Sequence, residues 1–461
     1  MQPTSLNFAA FLIISLVIYY IIPKRIQNYW LTLINLFYVS SFGLLGVIYL
    51  FVVSLVVYIL GLRLSKTKRK KQNSELLIAI VVLVAGLVIF KYYKLIFPFF
   101  HFSWLAPVGI SFYTFKAISY CIEVVKKRMD AETSYLNCWL YLSFFPVFTA
   151  GPINRPKSFF TQLKRQRSWK TSRIESGLIR TALGCFEKVV IADNLLILVD
   201  SIYFQWQEAS GGLLWIAMIL YSFQIYLDFD AYSNMAIGIS KCFGFKIEEN
   251  FKTPYLAESI SEFWRRWHIS LSSWLRDYIY IPLGGNRKGT TKKYRNLIVV
   301  FLISGLWHGA SWSFVLWGLF HALLQIFEQI IHLSKKASNS LIRFLKIILN
   351  FVLITISWVF FKITDVKQAL AILQKALFFP SFKLNLDLLK ISSKELSIAL
   401  FFILIIVILD LLRNHFDMIK WFRKRNFVFR FLIYILLFST FLILGVYGTG
   451  YDANQFIYIQ F

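Results

Sequence analysis

A chain of 461 residues that is 58% hydrophobic and only 16% charged lies outside the range of ordinary soluble or disordered domains and points to many membrane spans. Lys and Arg outnumber Asp and Glu by 50 to 23. On so apolar a background that excess reads as basic loops held against anionic headgroups, and nucleic acid is not expected as a partner. The four cysteines, Cys121, Cys138, Cys185 and Cys242, form no CxxC pair and no zinc spacing, so they read as small apolar fillers and no metal site is expected.

In chain order, the first apolar run covers 6–22. No basic residue precedes it, and Lys24 and Arg25 follow it, as in an uncleaved first span. Further full candidates are 44–62, 76–90, 213–227, 312–327, 345–361, 396–409 and 431–447. Weaker ones are 29–42, 104–125, 189–204 and 296–306. Several fall short of the roughly 20 residues a straight span needs, so tilted, broken or re-entrant helices are expected. Basic clusters at 24–25, 63–71, 126–128, 155–173 and 287–295 can all face the cytoplasm if the N-terminus lies outside. Residues 129–152 then start and end on one side. Their "YLSFFPVFTAGPINRP" is a poor straight helix and a fair re-entrant one.

His101, His332 and His415 lie near span ends, where interfacial roles are ordinary. His268, His308 and His321 sit among apolar and aromatic neighbours, where an ionisable group is costly and is a functional candidate. The structural alternative is a neutral histidine hydrogen-bonded inside a bundle. His308 lies in "SGLWHGASWSF", bracketed by Gly305 and Gly309, small residues that let a backbone or a substrate come close. His321 follows 13 residues later. On an unbroken helix that is about 20 Å and about 140° away, so a contact between the two requires a break at the glycines.

The stretch "FWRRWHISLSSWLRDYIYIPLGGNRKG" reads as an interfacial helix with aromatics at headgroup level. Its sharper reading is a wall for an anionic donor built from Arg265, Arg266 and Trp267, with Arg287 and Lys288 in a basic turn. "GGNRKG" is no P-loop, for it lacks GK[ST] and a preceding strand. Asp228 and Asp230 in "YLDFDAYSN" offer too few oxygens for a hard cation and suit a hydrogen-bonded or pocket-lining role. No GxSxG elbow surrounds Ser111. The terminal "FIYIQF" is apolar and aromatic. It reads as an anchor, or as a means of bringing the Tyr458 phenol to an acyl group.

"GISFYTFKAISY", "FFPVFTAGPINRPKSF", "YLDFDAYSNMAIGISKCFGFKIEENFKTPYLAESISEFWRRWH", "SGLWHGASWSFVLWGLFH" and "FIYIQF" occur in this order. Together they resemble the membrane-bound O-acyltransferase (MBOAT) family, in its bacterial alginate O-acetylation branch. That branch includes peptidoglycan O-acetyltransferases and, more distantly, the teichoic-acid D-alanylation protein. The resemblance implies an all-α polytopic fold of about 11–13 membrane helices, with re-entrant segments around a central funnel. One membrane-embedded domain would span 1–461, its motif-bearing core near 105–330. It implies that His308, in the "WHG" motif, is the reactive histidine, that His268 holds the second polar position, and that His321 supports them. It implies multi-pass residence in the bacterial inner membrane. No bound cofactor is implied. The implied donor substrate is acetyl-CoA, the acceptor an extracytoplasmic polysaccharide, and the partner an SGNH-hydrolase-like transferase. The competing reading is a polysaccharide or lipid-intermediate transporter or scaffold, which broken helices and buried histidines also fit.

Overall fold

The computed structural model describes residues 1–96, 107–333, 337–379, 381, 384–386 and 391–447, with the side chains of 93–96 not described. His101 and the terminal segment with Tyr458 lie outside the described residues. Among the described residues all regular structure is helical. Seven helices among the described residues are long and apolar enough to cross a membrane by length and composition, which makes the chain a polytopic, all-α membrane protein.

The chain divides into two compact units. The first comprises Met1–Ala182 and Ser233–Glu248. The second comprises Leu183–Tyr232 and the described residues from 249 onward. The first unit begins with α1 (Leu6–Ile21), α2 (Gln27–Ser40), α3 (Leu44–Lys66) and α4 (Arg69–Ile96). The basic tract at 63–71 continues α3 and opens α4, because Lys and Arg are good helix formers. It goes on with α5 (Ile110–Val125), α6 (Tyr135–Ser143), α7 (Pro156–Leu163) and most of α8 (Thr171–Phe186).

The proline- and glycine-rich stretch between α6 and α7 does not form a straight helix. Every residue from Cys138 to Asn154 is buried, so its irregular backbone is sheltered by protein. Side chains answer its polar groups. Asn35 Oδ1 accepts from Phe145 N–H at 3.0 Å, and Tyr141 donates to the Asn154 carbonyl at 3.0 Å. The fully buried Lys116 donates to the Val147 carbonyl at 3.0 Å. An interior backbone without these partners would be costly.

The second unit continues through a π-helical turn at Glu187–Ala192 and α9 (Asp193–Phe204), then α10 (Gly211–Cys242), whose end belongs to the first unit. α10 follows the apolar run 213–227 but extends through the polar "YLDFDAYSN". This is possible because 83% of its most apolar window is buried in protein. The unit then has α11 (Ile260–Arg266), α12 (Ile269–Leu275), a π-helical turn at Arg276–Tyr280, α13 (Thr290–His308) and α14 (Trp312–Ile330). It ends with α15 (Ser340–Lys362), α16 (Val366–Phe378), α17 (Ser393–Arg413), α18 (Met418–Arg423) and α19 (Phe427–Leu444). α19 buries none of its apolar window, a surface suited to lipid.

α13 and α14 form a hairpin because Gly309 is extended, with φ −179°, and Ser311 then caps α14 by accepting from Ser313 N–H. The hairpin is unusually close. A Cβ on Gly305 would strike the Phe314 carbonyl, and one on Gly318 would strike the Phe301 carbonyl. The small residue beside His308 therefore admits a neighbouring backbone. Gly318→Ala should push the pair apart and cost about 1–3 kcal/mol, read as a lower melting temperature in detergent. Gly46→Ala in α3, where a Cβ meets nothing within 4 Å, should be neutral or stabilising by up to about 1 kcal/mol. Equal melting of the two variants would refute the close packing.

Candidate active site

His308, His268 and His321 all belong to the second unit, and local geometry fixes each. His308 is the last residue of α13, 2% exposed. Its ring lies edge-on to Trp307 at 4.9 Å, Trp317 at 5.2 Å and Phe361 at 5.0 Å, centroid to centroid.

His268 breaks what would otherwise be one helix. It stands between α11 and α12 in the left-handed region, φ +42° and ψ +54°. A non-glycine residue is uncommon there and holds only when its surroundings fix it. Two backbone bonds pair this corner with the loop at 250–252: Ile269 N–H donates to Asn250 O at 2.9 Å and Lys252 N–H to Arg266 O at 2.9 Å. His268 Nδ1 lies 3.0 Å from Asn250 Oδ1, which also accepts from the Ser270 hydroxyl at 2.9 Å and its N–H at 3.3 Å. A backbone N–H can only donate, so Asn250 presents its oxygen to this corner. His268 must then carry its proton on Nδ1, leaving the lone pair on Nε2. Burial pushes its pKa well below the ordinary imidazole range, so it stays neutral. Phe229 meets its ring edge-on at 4.6 Å, and Trp307 lies 6.0 Å away.

His321, on α14, uses both nitrogens. Trp264 Nε1–H donates to its Nδ1 at 3.3 Å, so the ring proton is on Nε2, which faces Ser357 Oγ at 3.0 Å. The Ser357 hydroxyl in turn donates to the Ile354 carbonyl at 2.6 Å. Such a histidine bridges α11, α14 and α15 and has no lone pair left to act as a base. Trp317 separates it from His308, lying 5.1 Å from one ring and 5.2 Å from the other. The order in space is thus His268, Trp307, His308, Trp317, His321.

The expected donor wall comes out differently. The 260–280 stretch is two short helices and a π-turn, and its aromatics point into protein rather than lying at headgroup level: Trp267, Trp274 and Tyr278 are buried. Trp267 is a core residue, ringed by Phe251, Phe263 and Trp358 at 4.9–5.4 Å. Arg266 is held by Glu262 at 2.6 Å and by Thr253 Oγ1 at 3.1 Å. Asp228 is paired with the fully buried Lys188 at 2.6 Å, and the same ammonium reaches Asp193 at 2.7 Å. Asp230 turns to Arg413 at 3.6 Å, because residues two apart on a helix do not face each other. Arg265, Arg287 and Lys288 are exposed. Arg287 and Lys288 lie in a turn whose Gly284, Gly285 and Gly289 all have positive φ.

Asn250, Trp307, Trp317 and Ser357 were not singled out from the sequence. Trp317 had a signal, since it lies four residues before His321 and so shares its helix face. Asn250 had none.

The profile of the membrane-bound O-acyltransferase family matches residues 34–366. The chain belongs to this family. It is therefore a multi-pass membrane protein and an O-acyltransferase, and the matched stretch contains all three histidines. The chain is 35% identical over 418 residues to the probable alginate O-acetylase AlgI of Azotobacter vinelandii, covering 86% of this chain and 82% of that one. It is 34% identical over 414 residues to the peptidoglycan O-acetyltransferase of Helicobacter pylori, covering 80% and 78%. A more distant relative is the teichoic acid D-alanyltransferase of Bacillus subtilis, 29% identical over 328 residues, 65% of this chain and 80% of that one. Arg413 and Tyr458 lie beyond the matched residues, so the family profile carries no information on them.

Proposed function

We propose that this acyltransferase moves an acetyl group from cytoplasmic acetyl-CoA to hydroxyls of an extracytoplasmic polysaccharide of the alginate or cell-wall type, in the bacterial inner membrane. The observation that carries the reading is the interleaved row of histidines and tryptophans with His308 at its centre. The kinship with two O-acetyltransferases of polymers supports the choice of acetyl and of polysaccharide.

In this reading His308 takes the proton of the attacking hydroxyl as its oxygen bonds to the thioester carbonyl carbon. The tetrahedral intermediate then collapses, the C–S bond breaks, and the departing thiolate takes the proton back from the imidazolium. His268, held by Asn250, packs on Trp307, which packs on His308, and so acts as a positioning residue. His321 braces the row. The basic turn and His308 occupy opposite ends of α13, about 27 Å of helix apart. Arg287 and Lys288, exposed in that turn, suit capture of an anionic donor at the cytoplasmic face, and His308, buried at the other end, suits the transfer itself. Arg265, also exposed, is the third cation of the donor set. Tyr458 would relay the acetyl group as a phenyl ester, a better leaving group than a sugar alkoxide because a phenol has a pKa of about 10. An SGNH-hydrolase-like partner would collect it.

The test is to follow labelled acetyl in cells that make an acetylated surface polymer. Base-labile label on the polymer should appear with this protein and vanish without it. If unmodified polymer or its lipid intermediate crosses the membrane only when the protein is present, and polymer acetylation does not depend on it, the transporter reading replaces this one.

A further inference from the structure

Trp317 stands at the centre of the histidine cluster, 1% exposed. Five rings enclose it: His308 at 5.2 Å, His321 at 5.1 Å, Trp264 at 5.6 Å and Phe361 at 5.3 Å edge-on, and Trp358 stacked at 5.9 Å. Its indole N–H is buried and meets no hydrogen-bond acceptor among the described residues. The two neighbouring indoles differ. Trp264 donates to His321 Nδ1 at 3.3 Å, and Trp358 donates to the Tyr255 hydroxyl at 3.2 Å. Native interiors seldom leave a buried donor unanswered, and those that do call for a reason.

The chemistry of the group narrows the reason. An indole nitrogen donates and does not accept, so it can be neither base, nucleophile nor metal ligand. Its one use is to meet an acceptor that arrives from elsewhere. We propose that Trp317 Nε1–H is the oxyanion donor of the acyl transfer, bonding the carbonyl oxygen of the acyl group as negative charge develops there. This rests on the reading that His308 is the base. When the hydroxyl oxygen bonds to the carbonyl carbon, the C=O π pair moves onto the carbonyl oxygen. Trp317 donates to that oxygen without giving up its proton. When the C=O bond re-forms, the thiolate departs with the proton held by His308.

Position and rigidity both favour this role. The attacked carbon must lie within one hydroxyl of the His308 imidazole, and Trp317 packs directly against that ring. Both sit on the α13–α14 hairpin, whose spacing the Gly305 and Gly318 contacts set. On its other side Trp317 is held by Trp358 and by His321, itself tied to Trp264 and Ser357. A donor fixed in advance, in a site from which water is excluded, serves a developing charge better than a ground-state carbonyl. His321 then gains a physical task, which is to hold the indole still. In the resting enzyme the N–H meets no acceptor among the described residues, so an arriving oxygen has no hydrogen bond there to displace.

The experiment removes the N–H by two routes in the full-length protein, expressed in cells that make an acetylated surface polymer. One variant is Trp317→Phe. The other places benzothienylalanine at position 317, which keeps the bicyclic shape and puts sulfur where the N–H was. The readout is the initial rate at which labelled acetyl enters the polymer, at matched amounts of membrane-inserted protein, with melting in detergent measured alongside. Both variants should lose about 100- to 1000-fold in rate, the usual loss for one oxyanion donor, and the isostere should melt as the wild type does. A wild-type rate in either variant overturns the proposal. So does a loss confined to Trp317→Phe, which would mean that ring shape alone matters. If Trp317→Phe does not insert, the isostere decides by itself. His308→Ala separates the two levels: a wild-type rate there refutes the reading of His308 as the base, whereas an inactive His308→Ala beside a fully active isostere refutes the role of Trp317 alone.

Discussion

His308→Ala should abolish acyl transfer while the protein still inserts and melts close to the wild-type temperature. Loss of a positioned histidine base removes on the order of 100- to 10,000-fold in rate. Of the rings around the hole, Trp317 and Phe361 pack on each other as well as on His308, so the fold should tolerate it. His321→Ala should behave in the opposite sense. It strands the Trp264 indole N–H and removes the partner of the Ser357 hydroxyl, at about 1–3 kcal/mol for the buried group left unmade. Its activity loss should be smaller than that of His308→Ala and its melting temperature lower. His268→Ala should fall between them in activity. Acetylation rates and detergent melting on the same three preparations check the assignment. A wild-type rate for His308→Ala, or a His321→Ala protein that melts normally but is as inactive as His308→Ala, would reverse the roles of base and brace.

The sequence disclosed the all-helical membrane class and the three histidines because both depend on local composition: long apolar runs, and ionisable groups set among aromatics. It also stated the condition for His308 and His321 to approach, a helix break at the glycines, and the break occurs at Gly309. It did not disclose what separates the two rings. That is Trp317, whose place depends on how α13 and α14 fold back on each other, and hairpin geometry is a tertiary fact. The 260–280 stretch departs from a single interfacial helix for a related reason. "FWRRWH" has the composition of an interfacial helix, but composition cannot show that His268 turns the chain into the left-handed region, with Trp267 in the core and Arg266 against Glu262. The role of Asn250 was invisible, because the residues it serves lie 18 and 20 positions away. The Lys188 pairing with Asp228 spans 40 positions, and no local pattern announces it.

Lys188→Met should be the most damaging single change outside the histidine row. The Lys188 side chain is fully buried, and its ammonium lies between Asp193 at 2.7 Å and Asp228 at 2.6 Å, both nearly as buried. Removing one partner of a buried ion pair leaves uncompensated charge and typically costs about 3–5 kcal/mol; in this cluster two carboxylates lose it together. The change should appear as poor membrane accumulation and a large fall in melting temperature. Added salt should barely alter it, since screening hardly reaches buried pairs. The damage should extend to catalysis through α10, because Asp228 is followed by Phe229, whose ring supports His268 at 4.6 Å. A combined Lys188→Met, Asp193→Leu, Asp228→Leu protein should regain much of the stability, since well-packed apolar groups can replace a buried ion cluster with little loss. That protein also decides what Asp228 does. If the carboxylate serves only to fix α10, activity should return with stability. If Asp228 touched the donor, as its place in a polar motif suggests, the triple variant would melt normally and remain inactive, and Asp228 would belong to the donor site rather than to the scaffold of α10.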